Sequence, residues 1–129
     1  MIALKLTGWL ALILINVYID WRLIKSGKGV NHVVETVIRI AVGILYAGLV
    51  FGVRRPDEHF QWVALFEATS FYLFFELLLN KARGLDWFYL GNTAVTDRWF
   101  KKNFPAYIGL KGFALALFLL STWQLIKGS

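Results

Sequence analysis

The chain has 129 residues, 58% of them hydrophobic and 17% aromatic, a net charge of +6 and no cysteine. That length allows one domain, 1–129, and the apolar share exceeds the roughly 45–50% of soluble domains. The missing thiol excludes disulfides, thiolate metal sites and cysteine nucleophiles. The positive charge falls between apolar runs and draws no basic stripe, so no nucleic-acid partner is expected.

A bilayer crossing needs about 20 apolar residues at ~1.5 Å each. The first run that qualifies is LTGWLALILINVYIDWRLI (6–24). It is long, and no small-residue cleavage site follows it, which argues against a signal peptide. The turn SGKG (26–29) leads into the second run, VNHVVETVIRIAVGILYAGLVFGV (30–53). RRPDE (54–58) leads into the third, FQWVALFEATSFYLFFELLLN (60–80). Links this short imply antiparallel neighbours.

The third link is longer. Within 86–104, Asn92 or Thr93 is placed to cap a short helix carrying Val95, Trp99 and Phe100 beside Arg98, Lys101 and Lys102. Aromatics interleaved with cations suit a helix in the headgroup layer, with Trp87 and Tyr89 as further anchors. Pro105 is expected to break it before the fourth run, AYIGLKGFALALFLLSTWQLI (106–126). The expected fold class is all-α, a four-helix transmembrane bundle with an interfacial amphipathic helix between spans 3 and 4.

Lysine and arginine set the orientation. Loops 22–29 and 81–105 hold Arg22, Lys25, Lys28, Lys81, Arg83, Arg98, Lys101 and Lys102, against Lys5, Arg54, Arg55 and Lys127 at the other side. The positive-inside rule places the first set in the cytoplasm. The bilayer itself, with anionic headgroups near these basic loops, is the expected partner.

Polar residues inside the runs form stripes. At 100° per residue, His32, Glu35 and Arg39 share an arc of about 60°, and Thr69, Tyr72, Glu76, Asn80 and Arg83 one of about 80°. Asp20 ends the first run and Lys111 enters from the same side on the fourth. A polar cluster of Asp20, His32, Glu35, Arg39, Glu76, Asn80 and Lys111 is therefore expected at the cytoplasmic level. One reading is a structural ion-pair network that pins helix register. A second is ion, proton or small-solute passage in an oligomer, with His32 able to titrate near neutrality. A third is chemistry on lipid headgroups, for which no glycine-rich phosphate loop or spaced nucleophile–base pair is present. One His-x-x-Glu pair is too little for a di-metal bundle site, so no metal and no cofactor is expected.

Glu67 stands nearly opposite the polar stripe of its span. It is expected either to bond a neighbour such as Tyr46 or Ser70, or to face another subunit. Gly48-x-x-x-Gly52, on the back of the second span, is the spacing of a close helix contact. Gly48, Gly52 and Glu67 together point to a homo-oligomer.

The stretch LLNKARGLDWFYLGNTAVTDR (78–98), with its asparagine before Arg-Gly, aromatic pair, Gly-Asn-Thr and Asp-Arg, resembles small four-span membrane proteins of bacteria and their phages. The resemblance covers about a sixth of the chain and implies no activity and no catalytic residue. It implies a setting in a bacterial cytoplasmic membrane, or in a phage with an internal membrane.

Overall fold

Long unbroken apolar runs, with proline only at their edges, leave the backbone one way to satisfy its own polar groups, which is to coil. The structure, a computed structural model, describes residues 1–29, 31–90 and 95–128. It holds five helices: α1 (Ile2–Lys25), α2 (His32–Leu49), α3 (Glu58–Ala82), α4 (Val95–Lys102) and α5 (Phe104–Lys127), with no strand among the described residues. All but α4 are long and apolar enough to cross a bilayer.

Local chemistry sets the helix ends. Asn31 accepts the Val34 N–H at the start of α2, and Asp57 accepts the Phe60 N–H at the start of α3, each satisfying a donor the helix cannot. Glu35 and Glu58 lie in first turns, and Arg22, Lys25, Lys81 and Lys127 in last turns, where each opposes the helix dipole.

Three boundaries differ from the apolar runs. α1 begins at Ile2 rather than at residue 6. α2 stops at Leu49, although apolar sequence continues to Val53. Gly52 takes a φ of 73° there, and Phe51 and Val53 turn their N–H groups back to Tyr46 and Ala47. Gly52 is thus a turn residue, and Gly48-x-x-x-Gly52 does not form a helical face. A Cβ at Gly48 would meet Val53 O, 3.9 Å away, so this glycine packs under its own turn. Of the segment 86–104, only Val95–Lys102 of the described part is an α-helix before Asn103. The break falls at Asn103, with Pro105 in the first turn of α5, where its missing N–H costs nothing. The expected caps Asn92 and Thr93 lie outside the described residues.

α3 occupies the centre, packed closely on α5 and α1, while α2 touches it more lightly. The core reflects this. Val63 and Phe66 of α3 meet Leu6, Trp9, Ile13 and Val17 of α1 and Leu125 of α5, and Phe118 stacks on Phe66. Ala47 is the buried residue of α2. The short turn after α1 does make α2 its antiparallel neighbour, but the two meet mainly through long side chains. Tyr46 packs on Trp9 with ring centroids 5.4 Å apart, and Arg39 reaches Asp20.

Candidate functional site

The alternation of direction brings the end of α1, the start of α2, the end of α3 and the start of α5 to one end of the bundle. Two ion networks sit there. In the first, Arg39 Nη2 donates to Asp20 Oδ2 at 2.9 Å and to Glu35 Oε2 at 3.1 Å. Glu35 and Arg39 meet because four residues make about one turn of helix, and Asp20 comes from α1, 4% exposed. The guanidinium lies over the rings of Phe75 (4.2 Å) and Phe71 (5.1 Å), which stack on each other beside it, while its Nη2 meets the carboxylates.

In the second network, Lys111 is 5% exposed. Its ammonium donates to the Tyr72 carbonyl at 2.8 Å and to Glu76 Oε2 at 3.2 Å, and sits 3.9 Å from the Tyr72 ring centroid. The Tyr107 hydroxyl donates to the same Glu76 oxygen at 3.3 Å. A lysine this buried needs each of these partners. It does not snorkel to the end of its helix.

A cavity of about 690 Å³ opens between the two networks, with Asp20, His32, Arg39, Glu76 and Asn80 in its wall. Lys28, Arg83 and Asp97 add charges at its rim. Glu35 and Lys111 are outside the wall and connect to it through Arg39 and Glu76. Five of the seven expected cluster residues therefore form two networks bordering one space, and His32 and Asn80 line that space outside both networks. His32 is exposed, in the first turn of α2. Asn80 is tied down, its amide donating to the carbonyls of Trp87 and Tyr89 at 3.0 Å each. It folds the α3–α4 link over the cavity, helped by Gly84, whose φ of 76° turns the chain out of α3. Among the described residues, no group of three His, Asp or Glu side chains is placed to hold a metal ion.

Glu67 lies elsewhere, halfway along α3. It is 8% exposed, and its Oε2 has no hydrogen-bond partner among the described residues. Neither expected neighbour bonds it. The Tyr46 hydroxyl donates to Lys5 O at 2.5 Å, and the Ser70 hydroxyl donates to Phe66 O while accepting the Trp9 indole N–H at 2.9 Å. Glu67 is covered by its own chain, facing α2 at Gly43, where a Cβ would stand 3.8 Å from Oε1.

Sequence reasoning missed three contacts here. Nothing local in the sequence pairs Trp9 with Ser70, Tyr46 with Lys5, or Tyr107 with Glu76. A tyrosine at the fourth residue of the last helix is an ordinary interfacial residue until the fold places a carboxylate beside it. At the opposite end of the bundle, a second cavity of about 940 Å³ is bordered by Lys5, Glu58, His59, Trp62 and Lys127. No family model, no curated protein and no solved structure matches this chain, so its site is read from its own geometry.

Proposed function

We propose that this chain is a small integral membrane protein of four spans whose charged cavity admits an ion, a proton or a small polar solute. Supporting insertion, α2 leaves Val33, Val37, Ile38, Ile44, Leu45 and Leu49 uncovered, an apolar face water does not tolerate on a monomer. Residues of the basic loops, among them Lys28 and Arg83, border the cavity, and the positive-inside rule supports a cytoplasmic side for it. α4 then lies in the headgroup layer, with Arg98 and Lys102 toward anionic phosphates and Trp99 toward the acyl boundary.

The observation that carries the reading is the cavity wall. Charges from four helices line it, and the central ones are paired without being sealed: the side chains of Arg39 and Glu76 keep 20% and 36% of their exposure. Beyond it, Trp9, Tyr46, Phe51, Phe66 and Phe118 pack the far half of the protomer. Passage is accordingly assigned to an assembly of copies, with the cavity as its entrance.

The test is flux of protons or monovalent cations into liposomes carrying the purified protein. Glu76→Gln keeps an oxygen for Lys111 and Tyr107 while removing the charge, and is expected to change flux by about tenfold, the effect of about 1.4 kcal/mol on one binding step. Absence of flux from the wild type ends the reading. A second reading, an assembly component, is favoured by the complete pairing of Asp20, Glu35 and Arg39. It predicts that Arg39→Gln lowers the unfolding temperature of a protein that moves no ions.

A further inference from the structure

A third space runs between α2 and α3, sharing only Arg39 with the wall of the charged cavity. It measures about 500 Å³, within the range of small-molecule sites. It exists because Gly43 and Ala47 on one side and Ala64 and Ala68 on the other have too little side chain to fill it. Its wall is almost wholly apolar, with Ile44 and Phe71 typical of it.

Two charged groups interrupt that character: Arg39 at one end, already paired with Asp20 and Glu35, and Glu67, whose buried Oε2 has no hydrogen-bond partner among the described residues. Each nearby donor is engaged elsewhere: Tyr46 with Lys5, Ser70 with Phe66, Trp9 with Ser70, and Arg39, at the cytoplasmic end of the groove, with Asp20 and Glu35. A carboxylate in an apolar wall is costly until a positive charge meets it. Among the described residues lining the groove the one cation, Arg39, is already paired, and the mostly apolar wall offers a hydrated ion few partners for its waters.

We infer that this groove binds a lipophilic cation, an apolar body bearing one positive charge, held with its charge against Glu67. Gly43 leaves the approach to Oε1 open, and Trp9 and Phe71 put aromatic rings in the wall, the side chains a desolvated cation prefers. The occupant arrives through lipid, because the groove opens sideways between two helices whose outer residues, Ile40 and Ile44 of α2 and Phe60 of α3, are exposed.

The probe is tetraphenylphosphonium, titrated by equilibrium dialysis against purified wild-type protein in detergent. Saturable binding is expected, with no competition from tetraphenylborate, which has the same shape and the opposite charge. Glu67→Gln removes the charge, and Gly43→Leu fills the groove while leaving the carboxyl group in place; each is expected to weaken binding by about tenfold or more. Three results overturn the inference: no saturable binding by the wild type, equal binding of both ions, or full affinity in Glu67→Gln. The comparison of the two ions is made on wild-type protein, so the outcome does not depend on whether a variant folds. It involves no flux and is decided independently of the transport reading.

Discussion

A methyl group at position 8 would put a carbon 2.4 Å from the Tyr46 hydroxyl oxygen, closer than atoms tolerate. That hydroxyl has little room to retreat, because it is bonded to Lys5 O one turn away on the same helix. Gly8→Ala is therefore expected to destabilise the protein by about 1–3 kcal/mol. Tyr46→Phe, which alone loses one hydrogen bond worth about 1 kcal/mol, should restore part of that stability when added to Gly8→Ala. Thermal unfolding of the four proteins in detergent measures both effects, and equal melting of Gly8→Ala and wild type would show that the seam is looser than described. Neither residue announces this contact in the sequence, where both sit unremarked in apolar runs. The charges were more legible. Arg39 meets Glu35 because local spacing dictates it, and Asp20 because a short turn brings the end of α1 to the start of α2. Lys111 and Glu76 were placed at one depth by counting residues, but that they share one oxygen with Tyr107 depends on how α3 and α5 face each other.

Single helices carry their own start signals. The Phe60 N–H donates to Asp57 at the head of α3, and this bond, with Arg55 nearby, holds the Asp57 carboxyl below the usual carboxylate range. A carboxyl whose pKa is lower when folded contributes stability that is complete above its unfolded value, about 3.9, and disappears as pH falls through the folded value. Asp57→Asn retains an accepting oxygen without a titrating charge. The melting advantage of wild type over this variant should thus shrink as pH drops from about 6 to about 3. A constant difference over that range would mean the cap bond does not depend on the charge. Hydropathy revealed that the four long helices exist, yet not where α2 ends. Residues 50–53 are as apolar as those before them, and only the backbone freedom of Gly52 distinguishes a turn from another half-turn of helix.

For the molecule as a whole, the order of packing was the least legible property. All four long helices are apolar enough to cross a bilayer, so nothing in their hydropathy says that α3 stands at the centre and α2 at the edge. The one hint is that α3 carries polar residues on several sides, among them Glu67, Thr69, Ser70 and Asn80, each needing a protein neighbour. The arrangement predicts two-sidedness that is simple to measure in a chain with no cysteine of its own. His32→Cys and Arg83→Cys should react with an impermeant maleimide from one side of sealed vesicles, and His59→Cys from the other. Labelling of all three from the same side would refute the bundle as a membrane-crossing unit.

The first ion network has a consequence for how such a chain is made. Asp20, Glu35 and Arg39 all precede residue 40, so the guanidinium finds both of its carboxylates once the first two helices have been synthesised. Lys111 has no such provision: Tyr72 and Glu76 lie on a helix completed long before it leaves the ribosome. The N-terminal hairpin can thus enter lipid already neutralised at its arginine, while the last helix inserts against a docking place that stands ready for its one buried cation.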